Sequence, residues 1–252
     1  MARFRLDLEY VGTRYSGWQA QPNARTVQGA LHEAVRKVAK RTDFESYGSG
    51  RTDSGVHALH QVAHLDLESR LPPETLRRAL NDELPADIHL LRVTKVTREF
   101  HARHSAVGRS YLYQVARRRT AFGKPFGWWI RDPLDVPAMA AVARAFEGMH
   151  DFRSYADADA AERSTRVKVE RVEVAEAGDL LLVRVFGSHF LWKMVRRMVG
   201  VMAEVGRGGL KVQDAERFLH EASGVPAELT APPSGLFLER VLYAGDPPPG
   251  SL

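Results

Sequence analysis

The stretch GSGRTDSGVHA at residues 48–58 sets one carboxylate, Asp53, two positions from Arg51 and four from His57, among three glycines and no apolar run long enough to form core. Four chemistries can be weighed against that pattern. An Asx or type I turn over Asp-Ser-Gly, with the aspartate bonding its own backbone, accounts for the composition unaided. A phosphate cradle fits poorly, because the stretch is neither G-x-G-x-x-G nor G-x-x-x-x-G-K-[ST]. Calcium binding lacks carboxylates at alternate positions. Nucleophilic catalysis fits better: Arg51 would keep the carboxylate ionised, and the glycines would let a substrate backbone come close. Turn and nucleophile are both left standing.

The elements that must position this loop are read from periodicity. Phe4, Leu6, Leu8 and Tyr10 alternate with polar residues as in a strand with one buried face. Val27, Leu31, Ala34, Val35 and Val38 follow helical spacing behind Thr26, a residue type suited to the N-cap. Beyond the loop come HQVAHLDL as a strand, PPETLRRALNDEL as a helix and DIHLLRVTKVT as a strand, and the half reads β-α-β-β-α-β. The second half repeats this logic with RSYLYQVARR as a strand and VPAMAAVARAFEG as a helix ending at Gly148. Two strands then flank EAGD, a long helix spans HFLWKMVRRMVGVMAEVG to Gly206, KVQDAERFLHEA is a last helix, and GLFLERVLYAG is a last strand. The expected class is α+β, with an N-terminal half at 1–104, a C-terminal half at 105–245 and a disordered tail at 246–252.

Composition bounds the function. With 252 residues, 44% of them hydrophobic, the chain can build a real core. The net charge of +5 favours a polyanionic partner. The absence of cysteine excludes disulfides, thiolate catalysis and cysteine-held metal centres. No signal-like apolar segment opens the chain and no stretch approaches a membrane span, so the expectation is a soluble, cytoplasmic protein without a membrane partner.

The loop sequence closely resembles the G-R-T-D-x-G-V-H-A signature of the tRNA pseudouridine synthase A family. The resemblance extends to EYVGTRYSGWQAQPNARTVQGAL, FHARHSAVGRSYLYQV, FLWKMVRRMVG and PPSGLFLERVLY, in family order, and so covers nearly the whole chain. It implies the pseudouridine synthase fold, two ferredoxin-like α/β halves with antiparallel or mixed sheets and flanking helices. It also implies an isomerase that detaches the uracil of a tRNA uridine, turns it and rejoins it through carbon five, at positions thirty-eight to forty of the anticodon stem-loop. Asp53 carries over as nucleophile, attacking either the sugar carbon or carbon six of the ring. Tyr111 carries over as the ring that stacks on the target base, and Arg196 as the partner of Asp53. Arg51 and His57 are expected near the flipped nucleotide.

Each role has a plainer counterpart. Tyr111, with Tyr113 on the same strand face, also reads as a core aromatic. Arg196 also reads as a surface helix residue, and Arg197, about 100° further round, cannot share its role. His57 also reads as a satisfied turn histidine. Product and reactant have the same atoms, so neither cofactor nor metal is expected. Unstacking a base must be driven by RNA contacts. Candidates are Arg117, Arg118, Arg119, Lys124 and Arg131, interleaved with Phe122, Phe126, Trp128 and Trp129, then Lys193 with Arg197 on the long helix, and Arg77, Arg78, Arg103 and Arg109. The family implies a homodimer sharing a basic cleft. A non-catalytic RNA-binding module is the alternative. A metal site at His57, His60 and His64 would need a helix where a strand is read, and no second carboxylate motif supports glycoside hydrolysis.

Overall fold

Strand β1 (Ala2–Tyr10) turns Phe4, Leu6, Leu8 and Tyr10 inward and sets Arg3, Arg5 and Glu9 on its other face. The computed structural model describes residues 1–157 and 164–252. Helix α1 (Val27–Ala39) starts where Thr26 Oγ1 accepts the Gly29 N–H, and it buries Val27, Leu31, Ala34 and Val35. Strand β2 (Glu45–Gly48) fills the place in the β-α-β-β-α-β order for which periodicity supplied no segment. Strand β3 (His57–Leu67), helix α2 (Pro73–Glu83) and strand β4 (Ile88–Val96) follow. β1 lies between β3 and β4, antiparallel to both, with Leu6 opposite Ala63 and Val93, and β2 pairs antiparallel with β3. This is a ferredoxin-like sheet of order β4-β1-β3-β2, with α1 packed on α2 and α2 on β4.

The second half opens with β5 (Ala106–Ala116), whose end pairs in parallel with the short β6 (Trp128–Trp129). Helix α3 (Val136–Ala145) is capped by Asp135 and leads to β7 (Gly148–Asp151). The hairpin of β8 (Arg166–Ala177) and β9 (Leu180–Gly187) turns at Gly178–Asp179, and the sheet order is β5-β9-β8-β7. Helix α4 (Met194–Gly206) is buried along almost its whole length and packs on α3. It begins five residues later than periodicity suggests, because Lys193 sits in the left-handed region at φ 61°. Short helices α5 (Val212–Arg217) and α6 (Val225–Glu228) follow, α5 ending well before the expected residue 222.

The last strand, β10 (Leu236–Tyr243), pairs in parallel with β3, Phe237 opposite His57. The chain accordingly divides into one compact unit of Met1–Val107 with Phe237–Pro247, and another of Gly108–Leu236 with Pro248–Leu252. The last strand thus belongs to the first unit, where contiguous halves would put it in the second. The end of the chain is held as well: Pro249 is buried, and its carbonyl and that of Gly250 accept from Arg171, with Arg184 also donating to Gly250. Two arginines on β8 and β9 thereby order a segment whose proline content alone suggests disorder.

Candidate active site

Asp53 stands in the loop between β2 and β3, at the first position of a turn closed by the Val56 N–H donating to the Asp53 carbonyl. Gly55, third in that turn, has φ +79°, which is the geometry of a type II turn rather than the type I expected, and an L side chain there would be strained. Segment 12–18 clamps the loop from outside. Tyr15 O accepts from Gly55 N–H and Ser54 Oγ, both at 3.2 Å, and the Trp18 N–H donates to Thr52 O at 3.1 Å. Gly17, at φ +86°, lies so close that a Cβ would sit 2.5 Å from Thr52 O.

Beneath the loop is a buried polar chain that sequence reading missed. Gln61 Oε1 accepts from Ser49 Oγ (2.8 Å) and the Val62 N–H (3.2 Å), while its Nε2 donates to Gly50 O (3.1 Å) and approaches Tyr10 Oη at 3.5 Å. Tyr10 Oη is 2.8 Å from Thr52 Oγ1. A glutamine directly before the Val62–Ala63 pair of β3 was the available signal, since such a group is buried only when its amide is satisfied.

Arg51 is exposed and Asp53 half-buried. His57, expected near the flipped nucleotide, is enclosed. It is 1% exposed, its Nδ1 accepts the Gly12 N–H at 3.1 Å, and its ring stacks on Phe237 at 4.8 Å. Through the Gly12 N–H it ties segment 12–18 to the start of β3.

In the second unit, Tyr111 and Tyr113 share a strand face but not an environment. Tyr111 is half-buried with Phe190 edge-on at 5.3 Å. Tyr113 is fully enclosed, donates to Pro232 O at 2.8 Å, and has its phenol pushed above the ordinary range by burial. Arg196, half-buried on α4, donates from Nε to Ala231 O at 2.8 Å, and the Ala231 N–H donates back to Arg196 O. Arg197, expected as a substrate contact, is buried, donates to Ala156 O and faces Asp157 at 3.6 Å. Burial pushes its guanidinium down from the usual value, against the pull of Asp157.

Lys193 precedes α4 rather than lying on it, and its Nζ is 2.8 Å from Asp157 and 4.3 Å from the Trp192 ring centroid. Arg109 donates to Ser188 O at 2.9 Å. In the basic aromatic stretch, Arg117 pairs with Glu176 and Arg118 with Asp179, Arg119 lies over Trp129, and Phe122 is 95% exposed. Arg77 and Arg78 both pair with Glu74. The three histidines lie on β3, where period two sets His57 on the face opposite His60 and His64. Among the described residues no group of three His, Asp or Glu side chains is placed to hold a metal ion, and no helix is long and apolar enough to cross a membrane.

A ferredoxin-like unit that carries an aspartate on a clamped Gly-rich loop, in an α+β chain, is the frame of a pseudouridine synthase. The model of the tRNA pseudouridine synthase family matches residues 8–105 and 142–244. The chain is 38% identical over 244 residues to tRNA pseudouridine synthase A of Aquifex aeolicus, with 96% of this chain and all of that one covered. It is 39% identical over 246 residues to the protein of the same name from Afipia carboxidovorans, again with 96% and 100% covered. The chain belongs to the tRNA pseudouridine synthase family, and its reaction is the isomerisation of uridine to pseudouridine in tRNA.

Proposed function

We propose that the uridines isomerised are those at positions thirty-eight to forty of the anticodon stem-loop, and that Asp53 is the nucleophile. The observation that carries the assignment is the clamping of the Asp53 turn to Tyr15 and Trp18 by two backbone hydrogen bonds and one from the Ser54 hydroxyl, within a loop whose sequence matches the family signature. A nucleophile held in place before substrate arrives has its ordering entropy already met. Tyr111 stacks on the extruded uracil and Arg196 pairs with the Asp53 carboxylate, roles taken from the family resemblance. The half-exposure of Tyr111, beside the enclosure of Tyr113, supports choosing it between the two. Arg51, on the same loop and exposed, and Arg109 belong to the RNA-contacting set. The working form is a cytoplasmic homodimer, which sedimentation equilibrium of the purified protein tests.

The deciding experiment is release of tritium from tRNA whose uridines carry it at carbon five. Wild type releases label and Asp53→Asn binds the same tRNA without release; turnover by Asp53→Asn at the wild-type rate overturns the nucleophile. Repeating the assay on tRNAs with cytidine at each of the three positions in turn tests the site of action, and undiminished release from a tRNA lacking all three overturns it.

A further inference from the structure

The chain of groups beneath the loop leads to the peptide next to the nucleophile. The Gln61 amide is oriented unambiguously, because its oxygen takes two donors, Ser49 Oγ and the Val62 N–H, leaving Nε2 as donor toward Gly50 O and Tyr10 Oη. The Tyr10 hydroxyl in turn shares a 2.8 Å hydrogen bond with Thr52 Oγ1. Thr52 is then held on two sides, its side chain by Tyr10 and its carbonyl by the Trp18 N–H. All of the side chains in the chain are buried, Gln61 at 0% and Tyr10 at 4% exposure, so none of these bonds is exchanged for water. The residue after Thr52 is Asp53.

We propose that Tyr10 and Gln61 are positioning residues for uridine isomerisation: the relay Gln61–Tyr10–Thr52 fixes the direction of the Asp53 carboxylate without touching substrate. This rests on Asp53 being the nucleophile. A carboxylate that must meet one carbon of an extruded nucleoside loses rate steeply with small displacements, whereas binding of a whole tRNA is spread over many contacts. The relay therefore governs kcat and leaves tRNA affinity alone.

The test is Tyr10→Phe, which removes one oxygen and keeps the ring beside Trp18, 6.1 Å away between centroids. We expect kcat to fall by about ten- to a hundredfold, with KM for tRNA within about twofold and the melting temperature within a few degrees. Thr52→Val has the same effect, the double variant is no worse than either single one because both cut one link, and Thr52→Ser, which retains the hydroxyl, recovers rate over Thr52→Val. Wild-type kcat in Tyr10→Phe overturns the inference. So does a loss of kcat matched by loss of tRNA affinity and of melting temperature, since that is general loosening of the fold. Asp53→Asn is run alongside: if it is inactive while Tyr10→Phe is fully active, only the relay fails, and if it is active, the nucleophile assignment fails with it.

Discussion

Tyr111 and Tyr113 differ by one strand period in sequence and by most of their surroundings in space, and their substitutions should separate accordingly. Tyr113→Phe takes the hydroxyl donor at 2.8 Å from the half-buried Pro232 carbonyl, so stability should drop by about 1 kcal/mol in denaturant titration with turnover kept. Tyr111→Phe keeps the half-buried ring and should keep tRNA affinity, so that the loss falls in kcat. His64 offers a pH test. It is fully buried, its Nδ1 accepts the Ala102 N–H, and burial, with lesser help from Arg3 and His101, pushes its ring down to about 4. The unfolded chain binds this proton near the ordinary value of about 6.5 and the folded one only near 4, so its stabilising effect is complete above the upper value and is lost as pH falls across that window. His64→Asn keeps an acceptor for Ala102 but cannot titrate, and it should remove up to about one proton from the slope of unfolding free energy between those pH values. The loop that carries Asp53 stood out because its sequence is specific. The depth of His57 beside Phe237 did not, because an imidazole in a loop sequence reads the same whether exposed or enclosed.

At the scale of elements, local signals were read correctly where the chain carries its own punctuation. Thr26 is such a signal, and its side chain caps α1 as its type and position suggest. Thr26→Ala should cost about 1 kcal/mol of stability, measured by urea unfolding. The opposite end of α1 closes on Lys40, held at φ 53° and ψ 37° without the glycine that usually marks such a stop. Lys40→Gly should therefore stabilise by about 0.5–1 kcal/mol in the same assay, since the side chain pays a conformational penalty there. The late start of α4 has the same origin: Lys193 occupies the left-handed region, and apolar spacing before it at Leu191 imitates helix without a breaker residue to warn of the end. Strand β2 is four residues long with one buried side chain, too short to leave a period.

At the scale of the molecule, the α+β plan was legible and the membership of β10 was not. Nothing in GLFLERVLYAG says that Phe237 will stack on His57 or that Tyr243 will donate to Ala102 O at 2.7 Å, because those partners lie more than a hundred residues earlier. Charge is likewise a property of placement rather than count. The run Arg117–Arg119 reads as three equal phosphate ligands, yet the β8–β9 hairpin brings Glu176 and Asp179 to the first two. Among the described residues Arg119 and Lys124 make no ion pair, and Arg119 lies over Trp129 at 5.8 Å. A phosphate reaching Arg117 or Arg118 replaces a carboxylate rather than releasing bulk counterion, so those contacts add little to the salt dependence. The dissociation constant for tRNA, measured between about 50 and 200 mM salt, should show this. Arg119→Ala with Lys124→Ala should flatten the logarithmic slope by about one to two, and Arg117→Ala with Arg118→Ala by less than half as much. Equal flattening by the two pairs would mean that the hairpin carboxylates give way to RNA at no cost, and an unchanged slope in both would move the tRNA-binding face away from residues 117–124 altogether.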